Sequence, residues 1–243
     1  MEPQTNRTPQ QNPQTMPGMN QQQDSRTPGN PYGVTTNKFW NFIPAAGDKP
    51  PELLLYGAIS SQQSWWEDRV TPQQFNQELA ALGDVPEIIV RINSGGGDVF
   101  AANAIFTRLK DCSAKVIVKI DGWAASAATI IAMAGDTIKI ARNGVFMIHD
   151  PAMTVWDTFR AEDFLKMADE LKVIKQSIVN TYASKTGKKT EDIEQLMSNE
   201  TWWTGDIAVE NGFCDELMFE DSTTVVENSS KIVVNSVPID VSM

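Results

Sequence analysis

The stretch 121–135 restricts the possible folds of this chain more than any other segment. Its residues from 127 to 134 are small or apolar on every side, which is typical of a helix enclosed by protein. Gly135 suits the position just past the end of such a helix. We therefore expect a buried helix with the hydroxyl of Ser126 at its first turn. That serine could be an ordinary N-cap, or it could use the helix dipole and free amides for chemistry.

The overall composition argues against several classes of protein. The chain has 243 residues, of which 31 are acidic and 20 basic, so bulk charge does not favour nucleic acid or anionic membranes. Its two cysteines, Cys112 and Cys214, indicate neither a disulfide framework nor a zinc cluster. No apolar run approaches the roughly 20 residues of a membrane span, and no secretory signal pattern opens the chain. We expect a soluble, cytoplasmic protein.

Composition divides the chain into three regions. Residues 1–37 form a Gln/Pro-rich tail whose first 34 positions contain no Leu, Ile, Phe or Trp. Such a segment buries too little surface to offset its ordering entropy, so we predict that it is disordered. Residues 38–220 form the folded domain. Residues 221–243 are polar and β-branched, and they are either a terminal strand or a loose tail.

Strands and helices alternate within the predicted domain. Short apolar runs predict strands at 52–57, 87–92, 115–120, 136–141 and 145–148. Helical spacing and capping residues predict helices after Thr71, after Asp98, at 158–183, from 190 and at 205–211. This alternation is typical of the α/β class.

Two of these helices carry apolar side chains that we expect to be buried. In the helix after Asp98 these are Phe100, Ala101, Ala104, Ile105 and Leu109. In the helix 158–183 an apolar stripe recurs at helical spacing and comprises Phe164, Met167, Ala168, Leu171, Ile174, Ile178 and Tyr182. We expect this stripe to pack against the domain or against another subunit.

The chain has a single histidine, His149. A serine hydroxyl is a weak nucleophile at neutral pH and usually needs a neighbouring base. In a Ser–His enzyme, His149 is the base that this chain could supply. It follows a predicted strand, where open α/β sheets commonly build their sites. Taken alone, a lone histidine is more often structural than catalytic.

A run of glycines, 95–97, follows another predicted strand. It could be an ordinary strand-to-helix turn, or it could let a substrate carbonyl approach backbone amides. One amide from this loop and one from the residue after Ser126 would form an oxyanion hole. The run is not a phosphate loop, because neither Gly-Lys-Ser/Thr nor GxGxxG spacing is present. Ala124 and Ala128 occupy the glycine positions of a GxSxG elbow, which is therefore absent.

Four segments, in order and spacing, resemble the ClpP-type serine peptidases. They are Asn-Ser-Gly-Gly-Gly-Asp-Val at 93–99, Gly-Trp-Ala-Ala-Ser-Ala at 122–127, Met-Ile-His-Asp-Pro at 147–151 and Glu-Thr-Trp-Trp-Thr-Gly-Asp-Ile-Ala-Val-Glu-Asn-Gly at 200–212. The third and fourth look most like the head maturation (prohead) proteases of tailed phages. The resemblance implies a ClpP/crotonase-type spiral of β-β-α units, with a handle-like helix at 158–183.

The resemblance also implies roles for individual residues. Ser126 would be the nucleophile, and His149 would act as general base and then as general acid. The backbone N–H groups of Gly97 and Ala127 would hold the oxyanion.

The third member of the triad would be Glu200, where better-known members of the family carry Asp. Glutamate orients the imidazole in other Ser-His-Glu hydrolases. Asp150 is an alternative acid, although an immediate neighbour of the histidine usually points elsewhere. The resemblance implies no metal or organic cofactor.

Partners follow from the same resemblance. A phage maturation protease would act on capsid or scaffold protein, or on its own tail. It would do so inside rings of identical subunits, in the host cytoplasm or the procapsid. Two positions depart from the family: Gly95 stands where many members have proline, and the tail is unlike the axial-pore segment of the housekeeping peptidase. The second departure puts docking to an ATPase in doubt, so we expect ATP-independent activity.

Three alternatives remain open at this point. A crotonase-type acyl-CoA enzyme shares the fold and needs no serine nucleophile. A non-catalytic, ring-forming assembly protein could keep a peptidase fold. A Ser–Lys peptidase would need a lysine near Ser126, and Lys115, Lys119 and Lys139 are close in sequence.

Overall fold

The computed structural model describes residues 38–60 and 72–219, together with the backbone of two short strands, Lys231–Val234 and Val237–Asp240. The predicted tail 1–37, the expected N-cap Thr71 and most of 221–243 lie outside the described residues. The three-region division of the chain therefore stays a prediction.

Strands and helices alternate as predicted. Within the described residues, one sheet holds eight strands: β1 Trp40–Ile43, β2 Glu52–Tyr56, β3 Glu87–Ser94, β4 Lys115–Ala125, β5 Thr137–Ala141, β6 Val145–Ile148, β7 Thr201–Thr204 and β8 Glu216–Met218. The helices of the same region are α1 Pro72–Ala80, α2 Val99–Lys110, α3 Ala127–Ala132, α4 Ala161–Thr186, α5 Thr190–Ser198 and α6 Gly205–Glu210. The last two strands, β9 Lys231–Val234 and β10 Val237–Asp240, pair antiparallel with each other. The α/β class is confirmed.

The sheet runs in the order β1-β2-β3-β4-β5-β8. From β2 to β8 each neighbouring pair is parallel, whereas β1 joins the edge antiparallel. The long strand β4 changes partner along its length: Ile117–Ile120 pair with β5, and Trp123–Ala125 pair with β6. Strand β6 also pairs antiparallel with β7. The second half of β4 therefore forms a separate small group of strands with β6 and β7. Ser126 and His149 follow two strands of this group.

Alternating side chains of the central strands build the core. The inward positions of β3 and β4 are fully or almost fully buried, namely Ile88, Val90, Ile92, Val116, Val118 and Ile120. Helix α3 packs beside them and is buried at every position, as the sequence indicated. Because buried apolar area is the main favourable term in folding, this layer positions both α3 and the residue that precedes it.

The helix predicted within 121–135 is shorter than expected. Residues 121–125 continue β4, and only Ala127–Ala132 form α3. The intrinsic propensity of alanine favours a helix at Ala124 and Ala125. Here Trp123, Ala124 and Ala125 pair with β6, so the ladder with a neighbouring strand decides the conformation of this short segment.

The predicted inward face of α2 was partly wrong. Ala102, Ile105 and Leu109 are buried, while Phe100 is 68% exposed and Ala104 is also exposed. The helix starts at its N-cap Asp98, whose side chain accepts hydrogen bonds from the amides of Phe100 and Ala101. Phe100 thus lies in the first turn, beside the glycine loop.

The long helix α4 begins and ends three residues later than predicted. At its start the Asp163 side chain accepts a hydrogen bond from the Arg160 amide (2.9 Å), and at its end Gly187 adopts a left-handed conformation. Its apolar stripe is buried only in the C-terminal half, at Ile178 and Tyr182, whereas Phe164 is 55% exposed. No described helix is long and apolar enough to cross a membrane.

Candidate active site

Ser126 and His149 follow two neighbouring strands, β4 and β6. The last residue of β4, Ala125, is in register with Met147 of β6. The Ser126 amide continues this ladder by donating to the Met147 carbonyl (2.9 Å). At this spacing the Ser126 Oγ lies 2.8 Å from the His149 Nε2. Sheet pairing thus brings together a serine hydroxyl and an imidazole that are 23 residues apart in the chain.

The backbone of Ser126 adopts a conformation that L-residues rarely use. Its φ is 54° and its ψ is −128°. The residue occupies the N-cap position of α3, yet its side chain makes no capping hydrogen bond. Its hydroxyl faces the imidazole instead. An ordinary N-cap, one of the two interpretations of the sequence, does not describe this serine.

The carbonyl of Ser126 is held from inside the core. It accepts hydrogen bonds from the Thr129 amide (3.0 Å) and from the Thr129 Oγ1 (2.5 Å). The Thr129 Oγ1 also lies 2.7 Å from the hydroxyl of Tyr182, on α4. Both side chains are at most 1% exposed, and burial raises the pKa of the Tyr182 phenol well above its usual range. Tyr182 is therefore a neutral hydroxyl.

The glycine loop lies directly on the Ser126 turn. A Cβ at Gly96 would come within 2.6 Å of the Ala125 carbonyl oxygen and 2.8 Å of the Ala127 amide nitrogen. Gly97 has a φ of +145°, and a Cβ there would lie 2.0 Å from the Ile59 carbonyl oxygen. The missing side chains therefore make room for the protein's own backbone on both sides of the loop.

The two amides predicted as an oxyanion hole have no acceptor in the part of the chain that the structure describes. Among the described residues, neither the Gly97 N–H nor the Ala127 N–H hydrogen-bonds a protein acceptor. The carbonyl that precedes each amide accepts a hydrogen bond. The Gly96 carbonyl accepts from the Ile59 amide (2.9 Å), and the Ser126 carbonyl accepts from the Thr129 amide (3.0 Å). The role of the two amides is not tested by this geometry and stays a prediction.

Two further residues shape the loop, and the sequence interpretation missed both. The buried Ser94 donates to the Gly57 carbonyl (2.6 Å) and accepts from the Gly96 amide (3.1 Å), so it fixes the start of the glycine run. The ring of Trp123 covers Gly95, where a Cβ would lie 2.6 Å from the ring. A proline at position 95 would have to displace that ring, so Gly95 and Trp123 belong together.

Neither predicted acid contacts the imidazole in the described structure. Glu200 has a positive φ of 47°, and its exposed carboxylate accepts a hydrogen bond from the Trp202 indole (3.2 Å). His149 has Ser126 as its hydrogen-bond partner within the described residues. The assignment of Glu200 as triad acid stays a prediction.

Asp150, the alternative acid, is engaged elsewhere. Its carboxylate forms an ion pair with Lys175 of α4, with oxygens 2.8 and 3.0 Å from the Nζ. It also accepts from the Ser198 hydroxyl (3.0 Å), and its amide donates to the Met197 carbonyl (3.2 Å). The carboxylate ties the segment after β6 to α4 and α5.

The sequence did contain signals for the residues that were missed. Thr129 is the polar residue in a run that is otherwise small or apolar, and a buried hydroxyl requires a partner.

The lysines considered for a Ser–Lys pair are not hydrogen-bonded to Ser126 in the described structure, and Lys139 pairs with Glu216 instead. Among the described residues, no group of three or more His, Cys, Asp and Glu side chains could hold a metal ion.

Comparison with known proteins agrees with this geometry. A sequence model of the family described as Clp protease matches residues 63–221. The ATP-dependent Clp protease proteolytic subunit 1 of Chlamydia abortus is 32% identical over 134 residues, covering 54% of this chain and 70% of its own. The protein of that name from Chlamydia muridarum is 31% identical over 144 residues (58% and 74%). The ATP-dependent Clp protease proteolytic subunit 3 of Rhodococcus jostii is 30% identical over 143 residues (58% and 69%).

The family match covers both strand ends that carry Ser126 and His149, together with the glycine loop and the segment around Glu200. The mixed α/β sheet with its outer helices is consistent with the fold of that family. The ClpP-type resemblance is thus confirmed at the level of the family and the fold. The chain belongs to the Clp protease family, a family of peptidases.

Proposed function

We propose that the protein is a serine endopeptidase in which Ser126 is the nucleophile and His149 is the general base. The 2.8 Å contact between the Ser126 Oγ and the His149 Nε2 carries this proposal. A serine hydroxyl becomes a competent nucleophile when an adjacent imidazole can take its proton. In a Clp-family chain, this pair has no simpler role, because the serine does not cap its helix.

The reaction would proceed by acyl transfer. The Ser126 Oγ attacks the scissile carbonyl as its proton moves to the His149 Nε2. The amides of Gly97 and Ala127 stabilise the negative charge that develops on the carbonyl oxygen. His149 then protonates the leaving amine, and a water molecule, activated by the same imidazole, releases the acyl group. Glu200 is the proposed acid that orients the imidazole from its other nitrogen.

An apolar cleft next to the glycine loop indicates which substrate side chains would bind. It has a volume of about 510 Å³ and extends from Gly97 towards α4. Its walls are mainly apolar and include Ile59, Phe100, Met153, Leu171 and Ile174. A peptide held by the Gly97 amide would place a side chain beside this cleft. We therefore propose a preference for apolar residues next to the scissile bond.

We further propose that the protein forms homo-oligomers through the open half of α4. The apolar stripe of this helix continues past the domain, so that Phe164 is exposed on the face that buries Tyr182 further along. Leu165, the next residue, adds further exposed apolar surface, at 68%. Exposed apolar patches of this kind commonly mark contacts between proteins.

Two matched substitutions test this interface. Phe164→Asp places a charge on the open apolar stripe and should shift the protein to smaller species in light-scattering chromatography. Lys166→Asp introduces the same side chain two residues away, on the opposite face of the helix, and should leave the assembly unchanged. Equal behaviour of the two variants would remove the stripe as the interface.

The biological role that we propose is head maturation in a tailed phage, with capsid or scaffold protein as substrate. The motif forms His-Asp-Pro at 149–151 and Glu-Thr-Trp at 200–202 support it. We propose ATP-independent activity, in the host cytoplasm or procapsid, because the Gln/Pro-rich N-terminal segment is unlike the axial-pore segment of the housekeeping peptidase, which argues against docking to an ATPase. The relatives compared above bear the name ATP-dependent, and ATP-independent activity would distinguish this chain from them.

A fluorophosphonate probe tests the proposed chemistry directly. Purified protein, without ATP or any second protein, should be labelled on the peptide that contains Ser126. The Ser126→Ala variant should not be labelled, and neither should heat-unfolded wild type. Coexpression with a tailed-phage capsid and scaffold protein should then give cleaved capsid chains only with the unmodified serine. Folded oligomers that resist labelling in both settings would contradict the proposal.

The exposed position of Glu200 favours one second candidate, a non-catalytic assembly protein with a peptidase fold. Within the described residues no carboxylate supports His149, and an unsupported imidazole is a weaker base. The same probe separates the two functions. A non-catalytic protein would assemble normally, remain unlabelled in the presence of capsid protein, and be unaffected by Ser126→Ala.

A further inference from the structure

A buried chain of hydroxyl groups links helix α4 to the peptide unit that follows the nucleophile. Its members are Tyr182, Thr129 and the carbonyl of Ser126, with separations of 2.7 and 2.5 Å. Thr129 and Tyr182 are at most 1% exposed. Within the described residues, neither side chain hydrogen-bonds His149 or the glycine loop, and neither lines the apolar cleft, so the proposed mechanism leaves both unexplained.

The direction of each hydrogen bond in this chain follows from simple counting. A carbonyl oxygen only accepts, so Thr129 uses its one hydroxyl hydrogen to donate to Ser126. The remaining short contact then requires Tyr182 to donate to the Thr129 Oγ1. This needs a protonated phenol, and burial keeps Tyr182 protonated by raising its pKa. The chain therefore runs one way, from the phenol through the threonine to the carbonyl.

The peptide unit at the end of this chain also carries the amide of Ala127. Because a peptide unit is planar, fixing the direction of the Ser126 carbonyl fixes the opposite direction of the Ala127 N–H. The Ser126 carbonyl is held twice by Thr129, through its amide and through its hydroxyl. The rotation of this peptide unit is thus set from within the core, next to a residue whose φ is 54°.

We infer that Thr129 and Tyr182 are positioning residues that aim the Ala127 amide at the oxyanion. This inference rests on the proposed peptidase function. An oxyanion donor stabilises the transition state only when it points at the developing charge, and small errors in placement are costly. Polarisation along the hydroxyl chain also strengthens the Ala127 N–H as a donor, because bonds in series reinforce one another. Loss of the hydrogen bonds that link Tyr182, Thr129 and the Ser126 carbonyl therefore lowers kcat and leaves substrate binding largely intact.

The alternative is a purely structural role, in which Tyr182 satisfies a buried threonine that bonds back to its own helix turn. Such back-bonding by threonine is common. Both roles predict some loss of stability, but only positioning predicts a loss of kcat that exceeds the loss of folded protein. The apolar neighbour Ile178, on the same helix and 3% exposed, provides a control without a hydroxyl.

The experiment compares hydrolysis of a fluorogenic peptide amide with Leu before the scissile bond. Tyr182→Phe keeps the ring and removes the donor, and we expect kcat to fall about fivefold to tenfold with KM within about twofold. Thr129→Val removes the two hydrogen bonds of the hydroxyl, to the Ser126 carbonyl and from Tyr182, at nearly constant volume. It should lower kcat about thirtyfold. Thr129→Ser should recover most of the wild-type kcat, since it restores the hydroxyl. Ile178→Val, adjusted for folded fraction, should leave kcat unchanged.

The possible outcomes distinguish failure of the peptidase function from failure of the positioning role alone. If wild type neither labels with fluorophosphonate nor cleaves, the peptidase function fails and the inference fails with it. If wild type is active and Tyr182→Phe matches it in kcat, the peptidase function stands and the positioning role is wrong. An equal loss in Ile178→Val would also overturn it. Should Thr129→Val fail to fold, Tyr182→Phe and Thr129→Ser still decide.

Discussion

The two sides of the Ser126–His149 pair are held very differently. On the Ser126 side, the amide and the carbonyl have partners in the buried sheet and helix layer, and the hydroxyl faces the imidazole just past the end of β6. On the acid side, Glu200 is exposed and hydrogen-bonded to Trp202, while Asp150 is paired with Lys175. The nucleophile and its base are fixed by sheet pairing. The acid depends on a surface segment, so the acid side is where this chain could differ most from other peptidases.

The largest expected loss of activity comes from a change on the Ser126 side. Ser126→Ala removes the nucleophile and should lower peptide hydrolysis by at least about a thousandfold. The free energy of unfolding should change little, because alanine at this φ meets the same backbone strain as serine. Fluorogenic peptide assays and thermal melts measure the two quantities. Ser177→Ala, an exposed serine on α4, is the control, and substantial activity left in Ser126→Ala would place the chemistry elsewhere.

The next effect concerns the glycine loop on the same side. Gly97→Ala puts a Cβ where the Ile59 carbonyl already lies, at a φ of +145°, so the loop must move. Displacing one oxyanion donor should lower kcat about a hundredfold. Gly83→Ala is a matched control, because Gly83 also has a positive φ of 72° and has open space around its Cβ position. Equal activity in both variants would show that the Gly97 amide takes no part.

The acid side should respond less strongly. Glu200→Gln removes the proposed orienting charge and should lower kcat about a hundredfold or less, since an acid acts through the imidazole. Asp150→Asn should leave kcat within a few-fold of wild type. The comparison is made on peptide hydrolysis at one pH. A silent Glu200→Gln together with an inactive Asp150→Asn would exchange the two assignments.

The smallest expected effect is on stability alone. Asp150→Asn leaves the half-buried Lys175 ammonium without its charged partner, so the free energy of unfolding should fall by about 1 kcal/mol. Asp169→Asn, whose partner Lys172 is fully at the surface, should change it by less than about 0.5 kcal/mol. Chemical denaturation measures both values. A larger loss for the surface pair would mean that the Asp150 contact is not part of the folded framework.

Prediction from the sequence succeeded where local pattern and long-range packing agree. The strands around Val90 and Val118 are apolar runs that the sheet buries, and the helix after Ser126 is as enclosed as its composition indicated. The nearness of Ser126 and His149 was expected from the family resemblance, and the parallel pairing of their strands gives the physical reason.

It failed where a neighbour outside the local window decides. Residues 121–125 are Asp, Gly, Trp, Ala and Ala, of which only Trp is common in strands, and they form a strand because they can pair with β6. Phe100 matches a helical apolar face but lies in the first turn of α2 and is 68% exposed. The contact between Thr129 and Tyr182 spans 53 residues, and no periodicity of either helix indicates it.

The pairing of β4 with β5 and then with β6 has a consequence for folding during synthesis. Strand β6, which ends next to His149, lies between β4 and β7, and the segment with α4 and α5 separates β6 from β7 in the chain. The serine and the histidine therefore leave the ribosome well before the strand that completes their surroundings. The pairing of β4 with β6, which aligns them, joins segments close in sequence, whereas the pairing of β6 with β7 must close a much longer loop. We therefore expect the edge of β6 beside His149 to remain open during synthesis until β7 has emerged.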